Sequence, residues 1–392
     1  MKIMILGGDG YLGWSIGLDR AFKTDDRVCL VDSYLKRDLQ KAVGVEELYP
    51  LPFLVERVRH YRQQTGKFNL DAVSMDVSDF PSVLQLVDRI RPDVIINAAQ
   101  QPSAPLSMMS PEYAMLTLSN NESTVLNTLW AVAQRLPDCL VINLGSAGQY
   151  LSIDTEFVPT QPKSFKFYQD AMPYLIEKSW LPMQASDFYH QSKANSFAIA
   201  DICARLWNLK VVTVQQSTIF GQCVVPELDH PSLYPRLNYD HIFGTVLNRF
   251  ICQAVSKHPL TVYGDGKDKT NLICLCDTVR AFNKIIDSPI NPGEHKVFNN
   301  FTAQMSIEDI ALKVVELYGG TIEYLENPRK EKESKHEKVF EKGIVERSDG
   351  SIDGSIRKTL DFAERFSYSV KTEQFAPTIF WQVNRGGYDS KE

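Results

Sequence analysis

Lys2-Ile3-Met4-Ile5-Leu6-Gly7-Gly8-Asp9-Gly10-Tyr11-Leu12-Gly13 decides the fold. A short apolar run meets glycines at 7, 10 and 13, and a helical pattern then continues to about Phe22. Strand, glycine turn and helix in this order make a cradle for a dinucleotide. Gly7 permits the tight turn, Gly10 lets the backbone approach a pyrophosphate, and Gly13 packs helix on sheet, while the helix N-terminus stabilises the phosphate charge. Tyr11 and Leu12 line the same turn. A second apolar run from Arg27 to Val31 ends in Asp32, at roughly the 20-residue spacing expected of a ribose-binding carboxylate. Such a carboxylate accepts hydrogen bonds from the ribose and repels a 2′-phosphate, which favours NAD over NADP. Lys36 and Arg37 follow closely, so NADP is not excluded, and Arg37 is read as a cofactor contact.

Beyond Asp32 the chain alternates as a parallel sheet wound with helices does. Strands are expected at Leu70 to Ser74, Asp93 to Asn97, Leu140 to Leu144 and Lys210 to Val214, and helices at about 80 to 90, 112 to 135 and 184 to 208. The fold class is therefore α/β: a Rossmann-type doubly wound parallel sheet over residues 1–220, with a smaller substrate-binding domain built mainly from 221–392 and crossings between the two. Asp76 and Val77 are placed to frame an adenine. Asn97, Ala98 and Ala99 end a strand where small residues let a cofactor lie against the sheet edge. A further helix is expected from Asn238 to Lys257, and the mixed charges from Arg329 to Lys342 read as a solvated segment.

Composition narrows the class. With 392 residues, 44% hydrophobic and 23% charged, the chain has an ordinary globular composition and is long enough for two domains. A formal net charge of -6 gives no general attraction to nucleic acid or anionic membrane. No apolar run approaches the ~18 residues needed to span a bilayer, and the first strand begins directly after Met1, so neither membrane span nor signal peptide is expected. The seven cysteines are scattered and odd in number, as in a reducing compartment, and a cytoplasmic location is expected. Cys274 and Cys276 are read as sharing one face of a strand, with no further ligands nearby to make a metal site.

Two later stretches carry chemistry. Gly145-Ser146-Ala147-Gly148-Gln149-Tyr150 follows a strand, at the end where open α/β sheets hold their ligands. Phe188-Tyr189-His190-Gln191-Ser192-Lys193 lies in a helical pattern that sets Tyr189 and Lys193 on one face. A phenol with an ordinary pKa near ~10 stays protonated at neutral pH unless a fixed ammonium favours the phenolate. Lys193 is that ammonium, Tyr189 a general base, and Ser146 a hydroxyl able to bond both Tyr189 and a reacting alcohol.

Gly7-x-x-Gly10-x-x-Gly13, Ser146 and Tyr189-x-x-x-Lys193, in this order, resemble the extended short-chain dehydrogenase/reductase family of NAD-dependent epimerases and dehydratases. The resemblance covers nearly the whole chain. It includes Gly8 to Trp14, Tyr61 to Lys67, Ser103-Ala104-Pro105, Phe243 to Phe250, His258 to Gly264 and Asn327-Pro328-Arg329, and it is strongest to a branch that joins sulfite to UDP-glucose. It implies that Tyr189 takes the proton of a sugar C4 hydroxyl as NAD accepts the hydride, that Lys193 holds the nicotinamide ribose, and that Ser146 stands where the branch has Thr. Gln101, Ser103, Gln149, Gln216, Arg249 and Arg329 then face substrate, the two arginines at the diphosphate of a UDP-sugar. A homodimer through the helices at 112–135 and 184–208 is also implied.

Departures from the branch bear on the second step. Gln149 replaces a Glu, Gln101-Pro102 lacks an Arg, and no Arg stands near Thr270-Asn271. His190 is the expected substitute base, since imidazole titrates near neutrality. The expectation is an NAD-dependent nucleotide-sugar enzyme that oxidises at C4 and then epimerises or eliminates. The alternatives are a sulfite-using enzyme of that branch and a non-catalytic NAD-binding regulator.

Overall fold

The computed structural model describes residues 1–150, 157–158, 160–169, 172–180, 183–328, 339–340, 343–348, 351–379 and 381. Arg329 and most of the charged run to Lys342 lie outside them. The first half of the chain runs β1 (Lys2–Leu6), α1 (Tyr11–Lys23), β2 (Arg27–Asp32), α2 (Leu35–Ala42), α3 (Leu54–Thr65), β3 (Leu70–Ser74), α4 (Phe80–Ile90), β4 (Val94–Asn97), α5 (Ala104–Ser107), α6 (Pro111–Arg135) and β5 (Leu140–Ser146). Then come β6 (Phe157–Val158), β7 (Lys163–Gln169), β8 (Met172–Ser179), α7 (Phe188–Trp207), β9 (Lys210–Gln216) and β10 (Thr218–Phe220). The remainder is α8 (Val246–Val255), β11 (Leu260–Tyr263), β12 (Lys269–Cys274), α9 (Leu275–Ile286), β13 (His295–Asn300), β14 (Ala303–Ser306), α10 (Ile307–Tyr318), β15 (Ile322–Leu325), β16 (Val339–Phe340) and α11 (Ile352–Glu364).

Seven parallel strands form the central sheet in the order β13-β9-β5-β4-β1-β2-β3. Strand order reverses between β1 and β4, and the crevice outside their carboxyl ends is where such sheets hold ligands. β1 is buried from Ile3 to Leu6, as a strand covered on both faces must be. One apolar core joins β1, α1 and α9; another, on the opposite face, joins α4, α6 and α7. A third core gathers Phe250, Leu260, Ile310 and Leu360 beyond the sheet.

The chain crosses residue 220 in both directions. β13 and α9 belong to the central sheet and its covering layer, whereas Leu48, Tyr49 and Leu51 pack into the third core.

Local chemistry corrects three expectations. Helix α7 starts at Phe188 rather than 184, because the Asp187 side chain caps it by accepting the His190 N–H at 2.8 Å. The helix expected from Asn238 begins only at Val246, since Asp240 Oδ1 takes the N–H groups of Ile242 and Phe243 at 2.9 and 2.7 Å and folds a turn instead. Cys274 and Cys276 do not share a strand face: β12 ends at Cys274, whose sulfur accepts the Asp277 N–H at 3.4 Å and opens α9.

Candidate active site

A cavity of about 1000 Å³ opens at the carboxyl ends of the strands, lined by Gly7, Asp32, Ser146, Tyr189, His190 and Lys193 among others. Its floor is the glycine turn. At Gly7 a Cβ would sit 2.4 Å from the Ala98 carbonyl oxygen, and at Gly13 one would sit 2.2 Å from that of Gly7. Only glycine permits the strand, turn and helix to close this tightly. No side chain caps α1 at Gly10, which leaves its first-turn N–H groups for a ligand. Each Asp32 oxygen accepts one backbone N–H, from Asp9 at 2.8 Å and from Tyr34 at 2.7 Å, and the carboxylate still faces the cavity. Burial and the nearby Asp9 charge raise its pKa. These residues fit a dinucleotide: a glycine cradle, an open helix terminus and a ribose acceptor.

Tyr11, Leu12, Asp76, Val77, Ala98 and Ala99 also line the cavity. Asn97 does not; it is fully buried and accepts the Ala99 N–H at 3.3 Å, shaping the turn from behind. Arg37 departs further from its expected part. Its guanidinium donates to Asp9 at 2.6 and 2.9 Å and to the carbonyls of Leu51 and Pro52 at 2.8 Å each. That leaves Arg37 supporting the turn rather than facing a 2′-phosphate.

Helix α7 brings Tyr189 and Lys193 to the wall. Lys193 Nζ lies 5.4 Å from the Tyr189 ring centre and donates to Gln100 Oε1 and, at 2.8 Å, to the Leu144 carbonyl. Burial draws Lys193 down to about 7, while burial followed by the Asp187 charge pushes Tyr189 above the ordinary phenol value. Burial thus disfavours the charged form of both side chains. Ser146 ends β5 with its hydroxyl on the cavity, accepting the Gly148 N–H at 3.1 Å.

His190 Nδ1 is 2.6 Å from Asp187 Oδ2, an arrangement that leaves Nε2 as the free ring nitrogen. A Cβ on Gly148 would fall 2.2 Å from that Nε2, so glycine there makes room for the ring.

The expected substrate residues divide. Gln101, Ser103, Gln216 and Arg249 line the cavity. Arg249, on α8, donates to Tyr263 Oη at 3.1 Å and the Thr261 carbonyl at 3.2 Å. Ser103 is more structural, capping α5 and donating to the Ile242 carbonyl at 2.5 Å. Gln149 is fully buried and is not part of the cavity lining. Sequence reading missed Gln100 and Asp187. The first directly follows Asn-Ala-Ala and the second directly precedes the Phe-Tyr-His start of a helix, which are local signals. Lys36, noted beside Arg37, donates to Asn238 Oδ1 at 2.6 Å, and burial draws its ammonium down to about 7.

A doubly wound parallel sheet with this crevice defines a dinucleotide-binding α/β enzyme. The model of the NAD dependent epimerase/dehydratase family matches residues 3–299. The chain is 33% identical to the chloroplastic UDP-sulfoquinovose synthase of Spinacia oleracea, over 97% of this chain and 79% of that one. It is 30% identical to UDP-sulfoquinovose synthase of Sulfolobus acidocaldarius, over 85% and 84%. The fold is similar to that of UDP-glucuronic acid 4-epimerase from Bacillus cereus, solved with UDP-glucuronic acid and NAD, with a TM-score of 0.64 and 16% identity over 93% of this chain and 99% of that one. The protein belongs to the NAD dependent epimerase/dehydratase family. It is an enzyme of that type, with NAD as its cofactor.

Proposed function

We propose that the protein oxidises a UDP-linked sugar at C4 to a ketone, lets the sugar epimerise or eliminate while bound, and reduces it again before release. The observation that carries this reading is that Ser146, Tyr189 and Lys193 border one cavity with the glycine turn. The sequence similarity to two enzymes of UDP-sugar chemistry supports the substrate class.

NAD, held by the glycine turn, Asp32, Asp76, Val77, Ala98, Ala99 and Lys193, supplies the hydride acceptor when bound. Lys193 stabilises the phenolate form of Tyr189, which takes the C4 hydroxyl proton and becomes the neutral phenol, and Ser146 holds the hydroxyl in line. The ketone acidifies the neighbouring C5–H, and His190, held by Asp187 at the cavity wall, serves as the base for that proton. Arg249, with Arg329 from outside the described residues, serves the diphosphate through forked donors. Gln216 contributes to the sugar wall, while the Gln101 side chain, bonded to Ser103 and Thr117, closes the turn behind it. Exposed apolar residues on α6 and α7 support pairing with a second copy of the chain, and the free thiols of all seven cysteines support a reducing, cytoplasmic location. Among the described residues no helix is long and apolar enough to cross a membrane.

A sulfite-using reaction is the second reading, favoured by the names of the two curated relatives. Native mass spectrometry, followed by release and identification of bound small molecules, tests the first reading. NAD together with a nucleotide sugar is expected; protein that binds neither NAD nor any UDP-sugar would sink it. Incubation with UDP-glucose, with and without sulfite, separates the readings by whether a sulfonated sugar forms. Tyr189→Phe should lower kcat by about 10²–10⁴-fold while retaining NAD. A silent substitution would favour the regulator.

A further inference from the structure

Five of the seven cysteines are buried; Cys223 and Cys276 are partly exposed. They come from distant parts of the chain, Cys223 from the turn after β10 and Cys276 from the first turn of α9. The Cys276 thiol donates to the Gln222 carbonyl at 3.4 Å, and the two thiols are hydrogen-bonded to each other. Cys274, the third thiol nearby, is buried and already caps α9. Lys23 and Asp19, paired at 2.5 Å, border the two sulfurs, the ammonium favouring a thiolate there and the carboxylate opposing one. A second cavity, of about 660 Å³ and lined by Asp19, Lys23, Arg280 and Glu346 among others, opens beside them. Neither sulfur lines the cavity that holds Tyr189.

The turn that carries Cys223 also touches the cofactor cradle. Gly221, two residues before Cys223, accepts the Tyr11 hydroxyl with its carbonyl and donates its N–H to Asn248 Oδ1 at 2.8 Å. Tyr11 opens α1 and lines the main cavity at the glycine turn. We propose that Cys223 and Cys276 are a redox modification site: a small-molecule disulfide converts them to a reversible disulfide, which displaces the Gly221 turn, withdraws the partner of Tyr11 and weakens NAD binding. Two electrons are exchanged. Cys276, as thiolate, attacks one sulfur of the small disulfide and expels the first thiolate; Cys223 then attacks Cys276 in the mixed disulfide and expels the second. The two cysteine protons pass to the departing thiolates. The hydrogen bond with Cys276, followed by burial, pushes Cys223 above the ordinary thiol value, so Cys276 reacts first. Closing the bond brings the sulfurs from hydrogen-bonding distance to about 2.05 Å and removes the S–H donor from the Gln222 carbonyl, so the turn has to move.

The test equilibrates the full-length protein in buffers of reduced and oxidised glutathione, traps free thiols by alkylation and maps the linked peptides by mass spectrometry. NADH affinity is read by fluorescence titration in the same buffers. A peptide pair linked from Cys223 to Cys276, released again by excess thiol, is expected. With it the NADH dissociation constant should rise about fivefold, as for the loss of about one hydrogen bond. Cys276→Ser should abolish both the link and the response to oxidant while keeping the affinity of the reduced wild type, and Cys223→Ser decides the matter if that variant fails to fold. Absence of the link after oxidation, a link that leaves NADH affinity unchanged, or a response that survives the serine substitution overturns the proposal.

Discussion

At the residue scale, Asp187 has three effects at once. One oxygen caps α7 through the His190 N–H, the other holds His190 Nδ1, and the charge opposes ionisation of Tyr189. In the two-step reaction we propose, the last two pull in different directions, because a base is readied for the second step while the phenolate of the first is disfavoured. Asp187→Asn preserves the cap, since Asn is as good an N-cap as Asp, and removes the charge. A negative neighbour raises the Tyr189 pKa, so its removal lowers it. The acid limb of the first half-reaction, followed by nicotinamide absorbance under single-turnover conditions, should move to lower pH, while steady-state turnover falls as His190 loses its carboxylate. An unmoved limb would show that the Asp187 charge does not reach Tyr189.

At the element scale, α6 and α7 pack on the sheet and on each other, yet their outer faces remain apolar. Met115, Leu126 and Trp130 on α6, and Phe188, Ile202 and Leu206 on α7, are exposed, Leu206 by 69%. Trp130 and Trp207 meet edge to face at 4.8 Å, extending that surface. Helices that have already buried one face have no need of a second apolar one unless something covers it. A second copy, meeting helix pair to helix pair, is the occupant we propose. Leu206→Arg should convert a dimer to a monomer in light scattering coupled to gel filtration, with little change in thermal midpoint of the monomer. A wild-type monomer would remove the idea.

At the scale of the whole molecule, Asp9 gathers distant parts of the chain. Its carboxylate pairs with Arg37 of α2 at 2.6 Å, Arg57 of α3 at 3.5 Å, and Arg236 from the segment before α8. Arg236 also reaches Glu47, and the Arg57 guanidinium lies 3.6 Å from the Trp14 ring centre. The glycine turn is thereby bonded to the part of the chain that builds the far side of the cavity. Burial works to raise the Asp9 carboxyl, but the hydrogen bond and charge of Arg37, with the charges of Arg236 and Arg57, bring it below its ordinary value. Asp9→Asn should cost about 3–5 kcal/mol, as removal of one member of a buried ion cluster does. A lowered carboxyl stabilises the fold above its unfolded pKa and loses that contribution as pH falls through the folded value. The gap between wild type and variant in chemical denaturation should therefore hold from about pH 5 to 8 and shrink below about pH 4. A gap independent of acid would show that Asp9 acts through packing alone.

The sequence by itself determined the sheet and the placing of Tyr189 and Lys193 on one helical face. Glycines at 7, 10 and 13 have no other economical structural use, strand alternation is a local pattern, and Tyr189 and Lys193 share a face because helical spacing is local too. Tertiary structure decided the occupancy of side chains. Arg37 looked available until Asp9, Leu51 and Pro52 were seen to take its donors, and Gln149 looked like a pocket residue until the turn after β5 buried it. Which partner satisfies a buried polar group depends on chain segments far apart in sequence, and only the folded chain brings them within hydrogen-bonding distance.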